Sequence, residues 1–187
     1  MWGFGVGERR EPADEEIKEA MKSVGFSRLK FSDDFQKLTK TQNETYINLS
    51  AIAKGYGVDE VAAVLEREGC HDYIVEIGGE IKARGFRSAA KEAWNIGINK
   101  PVAGSSENSM VISLSNLAVA TSGNYRNFYQ KDGKTFAHTI SFQTGRPVLS
   151  DALSVSVFHE SCMYADAYAT AIMAMGVETV SYTHLRA

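Results

Sequence analysis

The chain has little of what marks several special classes of protein. Its 187 residues include two cysteines and three prolines, and no apolar run approaches the ~20 residues that span a bilayer. Lys and Arg number 20 against 23 Asp and Glu, a net charge of −3, which argues against nucleic acid as a partner. Cys70 and Cys162 are too few for a disulfide scaffold and too distant for a metal knuckle, so we expect two buried thiols. The first residues lack the basic and apolar segments of a signal peptide, and none is expected within this sequence.

The residues that are present describe an ordinary globular protein. Apolar residues make up 44% of the chain and charged residues 23%, which is typical of a folded chain with a hydrophobic core. The length is enough to bury one substantial core. We therefore expect residues 1–187 to form a single domain.

Apolar periodicity predicts three helices. The first begins near Pro12 and ends at Gly25, the second is capped by Ser50 and ends at Gly69, and the third covers residues 162–175. The predicted strands are residues 26–31, 45–49, 72–77, 80–85, 94–98, 110–114, 117–120, 135–140 and 153–158, with a weaker strand within 32–44. Helices and strands do not alternate strictly. The prediction is therefore an α+β fold with a mixed, largely antiparallel sheet packed with helices.

A junction between a strand and a helix, NLSAIAKGY at residues 48–56, is the first candidate binding segment. Its small residues leave room for a ligand near the backbone, and N–H groups at a helix start favour an anion. Lys54 adds a mobile positive charge one turn into the helix. The simpler interpretation is a capped helix with a solvated lysine.

Two further segments combine glycine with polar side chains. In EIGGE, residues 76–80, strand alternation places Glu76, Gly78 and Glu80 on one face, and a glycine pair often marks close approach by a ligand. The simpler interpretation there is a hairpin bend with two exposed carboxylates. The loop ATSGNYRN, residues 120–127, suits a polar ligand and is equally typical of an ordinary turn.

The last two segments carry groups that are common in catalysis. His138 opens the segment HTISFQTGRP and suits acid–base chemistry near neutral pH, although a lone histidine is more often structural. Asp166 and Thr170 are four residues apart on the third helix, so both oxygens share one face. Such a pair suits Mg²⁺, which keeps waters and phosphates as its other ligands. The alternative is Asp166 as a first-turn dipole partner and Thr170 bonded to a carbonyl.

Taken together and in this order, the five segments resemble the ApbE family of flavin transferases. The resemblance extends from WGFG at residues 2–5 to about Gly176. It implies a T-fold-like α+β protein that uses FAD as substrate with Mg²⁺, moves FMN onto a Thr or Ser hydroxyl of a partner protein and releases AMP. The implied partner is a flavoprotein subunit of a membrane redox complex or a related extracytoplasmic protein. The implied location is periplasmic or otherwise extracytoplasmic, as a membrane-anchored lipoprotein.

The resemblance also implies roles for single residues that bind the substrate or act on it. Asn48 and Lys54 occupy positions that contact FAD in the family, and Thr139 lies against the flavin nucleotide. His138 occupies the position of the histidine that acts at the transferred phosphate. This sequence has Asn48 where the family usually has Asp, and it has SF at residues 141–142 in place of Asp-Pro.

The metal positions of the family fall on three further residues. Asp166 and Thr170 occupy the metal-binding positions of the last helix, and Ala51 occupies a position whose backbone carbonyl reaches the metal. The family's N-terminal portion, with the lipoprotein signal and further FAD contacts, would precede WGFG. The expectation is therefore a single ApbE-like domain, residues 1–187, without that portion. Residues 181–187 do not resemble the family's continuation.

Two alternative functions stay open. The first is an FAD pyrophosphatase that hydrolyses FAD to FMN and AMP without a protein acceptor. The second is a non-catalytic flavin-binding or interaction remnant. AMP release from FAD distinguishes both enzymes from the remnant, and covalent flavin on an acceptor distinguishes the transferase from the hydrolase.

Overall fold

Helices and strands are defined here in a computed structural model that describes residues 1–4, 8–102, 107–124, 128–131, 134–148 and 152–176. The α-helices are α1 Asp14–Met21, α2 Ala53–Arg67 and α3 Cys162–Met175. The strands are β1 Leu29–Phe31, β2 Leu38–Lys40, β3 Tyr73–Ile77, β4 Glu80–Arg84, β5 Trp94–Asn99, β6 Asn108–Leu114, β7 Leu117–Gly123, β8 Phe128–Lys131, β9 Lys134–Ala137 and β10 Ser154–His159. No helix within the described residues is both long enough and apolar enough to cross a membrane.

The chain separates into two units. The first unit comprises Met1–Asn48 and Asn127–Leu149, and the second unit comprises Leu49–Arg126 and Ser150–Ala187. Every strand pairing in the described residues is antiparallel. The α+β prediction with a largely antiparallel sheet is therefore confirmed.

The first unit contains α1 and two hairpins, β1–β2 and β8–β9. Its core is formed by Trp2, Ile17 and Phe136. The Trp2 indole N–H donates to the Gly145 carbonyl at 2.8 Å, which satisfies a polar group that would otherwise be buried without a partner. Gly145 has a φ of +67°, a conformation that favours glycine.

The second unit is built on a four-stranded sheet with the order β10-β7-β4-β3. Alternation along β7 directs Ala118 and Val119 to opposite faces. Ala118 packs with the α2 residues Val58 and Ala62, whereas Val119 packs with Ile96 and Leu114 of the β5–β6 hairpin. Because helices cover one face and the hairpin covers the other, β7 is buried on both sides.

Several element boundaries differ from the prediction. Residues 45–49 form no strand; the Thr45 hydroxyl instead donates to the Ser23 carbonyl at 3.0 Å. The strand β8 was not predicted, while α3 has the predicted bounds. Helix α2 begins at Ala53, so Ser50 is not its cap; Ile52 occupies that position without a capping side-chain bond. Cys162 is buried as expected, but Cys70 is only partly so.

Candidate functional site

The start of α2 is capped by an aspartate from α3. The Gly55 N–H, in the first turn of α2, donates to Asp166 Oδ2 at 3.0 Å. First-turn N–H groups have no partner within their own helix, and here the partner is a buried carboxylate, 3% exposed. This one N–H group is therefore not available to an external anion, because the protein supplies a carboxylate to it from its own chain.

Gly55 allows the two helices to approach closely. A Cβ on Gly55 would lie 2.4 Å from the Cys162 carbonyl oxygen, which belongs to the backbone and cannot rotate away. At Gly57, two residues on, a Cβ would lie 3.2 Å from Ile77 Cδ1, the end of a side chain. The close contact between α2 and α3 therefore depends on Gly55 and not on Gly57.

We expect Gly55→Ala to destabilise the chain by about 1–3 kcal/mol, the usual effect of overpacking. Gly57→Ala is the matched control, since both residues lie in α2 and alanine is the better helix former by up to about 1 kcal/mol. Urea unfolding of both variants measures the difference. An equal loss of stability in the two would contradict the close-approach argument.

Lys54 pairs with a buried glutamate from the sheet. Its Nζ lies 2.7 Å from Glu80 Oε1; the Glu80 side chain is 2% exposed and the Lys54 side chain 45% exposed. The ammonium is thus anchored on one side and open to solvent on the other. A lysine in this position can contact an anionic ligand without leaving its partner.

Glu76 and Glu80 were expected to share one face and, in the simpler interpretation, to be exposed; the structure differs on both points. Gly78 and Gly79, both with positive φ, form a two-residue turn in which Ile77 pairs with Glu80 and Glu76 with Ile81. Since directly opposed residues share a face, Glu80 and Glu76 lie on opposite faces of the sheet. The segment is a hairpin bend as in the simpler interpretation, but of its two carboxylates Glu76 is exposed and Glu80 is buried.

Burial of two neighbouring carboxylates, Glu80 and Asp166, raises the pKa of both. Burial raises the pKa of Glu80; the Lys54 ammonium lowers it in part, and the negative charge of Asp166 raises it further. Burial likewise raises the pKa of Asp166, against the Gly55 N–H and the charge of Lys54, which lower it. Burial, with the nearby negative charges, raises the pKa of Cys162 to about 12. Its thiol is therefore neutral and unsuited to nucleophilic chemistry.

Thr170 lies one helical turn beyond Asp166, and both face the interior of the second unit. Its hydroxyl shares a hydrogen bond of 3.1 Å with the Ser122 hydroxyl of β7. Asp166 is bonded to α2 and lies beyond the first turn of α3. The alternative roles considered for this pair, a dipole partner and a carbonyl-bonded threonine, are thus not what the described contacts show.

Asp59 of α2, which no sequence motif indicated, holds the start of α3. Its Oδ1 accepts hydrogen bonds from Lys82 Nζ at 2.8 Å and the Cys162 N–H at 3.0 Å. Its Oδ2 accepts from the Ser161 hydroxyl at 2.7 Å and the Met163 N–H at 3.0 Å. One carboxylate of α2 therefore satisfies the first N–H groups of α3. The local sequence carries no sign of this role, because Glu60 beside it is also a carboxylate and is exposed.

Replacing Asp59 should cost stability through α3. We expect Asp59→Ala to lower the free energy of unfolding by about 2–4 kcal/mol, because hydrogen bonds to a charged acceptor are lost at a helix start. Urea denaturation measures this, with Glu60→Ala, an exposed carboxylate beside it, as control. A loss no larger than that of the control would contradict the role of Asp59.

The pH dependence of the same contribution follows from the Asp59 pKa. Burial opposes its ionisation, but the hydrogen bonds from Lys82, Met163 and Ser161 outweigh burial and lower the pKa. A lowered acidic pKa gives stability that is present above the unfolded-state value of about 3.9 and is lost as pH falls through the folded-state value. Asp59→Ala should therefore differ less from the wild type under strongly acidic conditions.

The other predicted site residues are distributed over both units. Ala51 lies in the turn before α2, in the same unit as Lys54 and Asp166. Asn48, His138 and Thr139 belong to the first unit. There the exposed His138 ring meets Phe4 edge-on, with centroids 6.5 Å apart, and the Thr139 carbonyl accepts from the Val148 N–H at 2.8 Å.

The structure is similar to solved structures of ApbE proteins. The flavin transferase ApbE from Vibrio cholerae superposes with a TM-score of 0.83 at 39% identity, over 98% of this chain and 59% of that one. The ApbE protein from Thermotoga maritima gives a TM-score of 0.83 at 31% identity, over 99% and 58%.

Sequence relatives lead to the same family. The FAD:protein FMN transferase of Vibrio cholerae is 41% identical over 95% of this chain and 53% of its own length. That of Haemophilus influenzae is 38% identical over 94% and 52%. The chain thus spans about half the length of these relatives. The ApbE family model matches residues 1–184, and the chain belongs to the ApbE family.

Proposed function

We propose that this chain transfers FMN from FAD to a Thr or Ser hydroxyl of a partner protein with the help of Mg²⁺, releasing AMP. The observation that carries the proposal is the meeting of Lys54, Glu80 and Asp166 in the second unit. There a half-exposed ammonium stands beside two buried carboxylates at a helix start. The names of the relatives, FAD:protein FMN transferase, support the reaction class.

The residues of the second unit fit a divalent cation of the Mg²⁺ type. Glu80 Oε2 is buried and has no hydrogen-bond partner among the described residues, and two buried carboxylates face a single half-exposed lysine. Among those same residues no group of three or more His, Cys, Asp or Glu could enclose a metal. Mg²⁺ needs no such cage, because one or two carboxylates, waters and substrate phosphates suffice. The proposed holders are Asp166, the Thr170 hydroxyl and the Ala51 carbonyl.

The chain's own residues have distinct tasks in the proposed reaction. Asp166 is held in one orientation by the Gly55 N–H, so its carboxylate is preorganised. Lys54 can neutralise negative charge on the diphosphate of FAD. Asn48 and Thr139 are proposed to contact FAD. When bound, Mg²⁺ would neutralise charge that develops on the phosphate oxygens.

The proposed transfer balances with one proton donor and one leaving group. The acceptor hydroxyl oxygen forms a bond to the FMN phosphorus, and the bond from that phosphorus to the bridging oxygen breaks. The hydroxyl proton passes to His138, the proposed general base. AMP leaves with the electron pair of the broken bond. The proposed acceptor is a flavoprotein subunit of a membrane redox complex or a related extracytoplasmic protein, which implies an extracytoplasmic location.

Incubation of the purified chain with FAD, MgCl₂ and a candidate acceptor tests the proposal. Intact-mass spectrometry should show the acceptor gaining one FMN, and chromatography should show an equal amount of AMP. An acceptor whose target Thr is replaced by Val is the control and should gain nothing. FMN and AMP in solution without labelled acceptor would indicate FAD hydrolysis, and absence of AMP would contradict both enzymes.

A further inference from the structure

Glu80 has one oxygen that the described contacts leave unused. Its Oε1 is paired with Lys54 at 2.7 Å. Its Oε2 is buried and has no hydrogen-bond partner among the described residues. A buried carboxylate oxygen without a partner is unfavourable, and native proteins nearly always satisfy such a group.

The charged groups near Glu80 include more carboxylates than free ammonium groups among the described residues. Glu80 stands on the sheet face that packs against the helices, on the same side as Lys82, which binds Asp59. That second lysine is therefore already neutralised. Lys54 is left to balance both Glu80 and Asp166, and it is 45% exposed. Among the described residues, these two carboxylates in their ionised form share one half-exposed ammonium, which leaves an excess of one negative charge.

The turn before Glu80 packs closely against Lys54. A Cβ on Gly78 would lie 3.2 Å from Lys54 Cδ and 3.8 Å from Glu80 Oε2. The stem of Lys54 thus passes close to the turn, with the unused oxygen beside it. Glycine at this position also suits the φ of +62° that the turn requires.

We propose that Glu80 is a further holder of the divalent cation at Asp166, with Oε2 facing the cation directly or through one bound water while Oε1 keeps Lys54. This inference rests on the cation of the proposed function. It assigns one carboxylate two tasks, and it gives the site a second negative charge besides Asp166. Glu80 thereby fixes the distance between the ammonium and the cation, the two positive charges available to a diphosphate.

A titration with Mn²⁺ as a probe of the cation site tests the proposal without any flavin. Binding is followed by electron paramagnetic resonance of free Mn²⁺ in the wild type, Glu80→Gln, Glu76→Gln and Asp166→Asn. Loss of a group that hydrogen-bonds to a metal ligand weakens metal affinity by about 10–100-fold. We expect Glu80→Gln to lose at least that much of its Mn²⁺ affinity. Glu76→Gln is the matched control, an exposed carboxylate of the same hairpin, and should change affinity less than twofold.

The rise in melting temperature on adding Mg²⁺ supplies a second readout. Each variant is compared with its own metal-free melting temperature, because Glu80→Gln also loses the ion pair with Lys54. The rise should be smaller in Glu80→Gln than in the wild type. A Glu80 that only pairs with Lys54 would give the same rise in both proteins, and that result would overturn the proposal.

The remaining outcomes separate this inference from the proposed function. Mn²⁺ binding weakened by Asp166→Asn but unaffected by Glu80→Gln would overturn the role of Glu80 and leave the proposed cation in place. FMN transfer by a wild type that binds no Mn²⁺ would overturn the cation, and Glu80 with it, but not the transfer. Mn²⁺ binding that needs both residues, without FMN transfer, would support Glu80 and contradict the proposed reaction.

Discussion

Asp166→Asn is expected to reduce Mg²⁺-dependent FMN transfer at least about 10²-fold while the chain stays folded. Charge stabilisation by a metal contributes several kcal/mol to reactions of this kind, and asparagine supplies no charge to hold the cation. Its amide oxygen can still accept the hydrogen bond of the Gly55 N–H, which Asp166 Oδ2 accepts at 3.0 Å. Transfer rates at saturating FAD, measured over a range of Mg²⁺ concentrations, provide the test.

The choice of asparagine matters because Asp166 also has a structural task. Asp166→Ala would leave the buried Gly55 N–H without a partner, at a cost of about 1–3 kcal/mol. A comparison of the two variants therefore separates loss of metal from loss of stability. Full Mg²⁺-dependent activity of Asp166→Asn would show that this carboxylate does not hold the cation.

His138→Ala is expected to slow FMN transfer by about 10²–10⁴-fold, the usual consequence of losing a general base. FAD affinity should change much less, since the imidazole is proposed to act on the acceptor hydroxyl. Single-turnover transfer, FAD affinity by flavin fluorescence and melting temperature should be measured on one preparation. His71→Ala, another exposed histidine, is the control.

The alternative for His138 is a structural role in the first unit. Its ring contacts Phe4 edge-on, and Phe4 packs against the Trp2, Ile17 and Phe136 core. A structural role would lower the melting temperature and FAD affinity together. Unchanged transfer in His138→Ala would remove this residue from the proposed mechanism.

Local sequence signals were sufficient to predict α3. The Ser161 side chain accepts from the Tyr164 N–H and Gly176 follows the last turn with a φ of +82°, the usual features of a helix start and end. Helix α2 was predicted to begin two residues too early because Ser50 has the chemistry of a cap. The group that actually satisfies a first-turn N–H of α2 comes from a distant helix, and no local pattern indicates it.

The burial and the partners of Glu80 and Asp59 could not be predicted from their positions in the sequence. Counting along the chain placed Glu76 and Glu80 on one face, but the Gly78–Gly79 turn reverses the chain and changes which face each residue takes. Asp59 looks like an ordinary helical carboxylate until Lys82 and the start of α3 are placed beside it. The residue types were visible in the sequence; their burial and partners depend on tertiary packing.

The hydrogen bond between Gly55 and Asp166 joins positions 111 residues apart. A binding centre built from such distant positions does not exist in any short fragment, and it forms only after most of the chain-closure entropy has been spent. Occupancy of this centre is therefore coupled to the complete topology of the second unit, and an ion bound there stabilises the native state alone. A cation at the proposed site would therefore stabilise the folded second unit without helping to nucleate its folding.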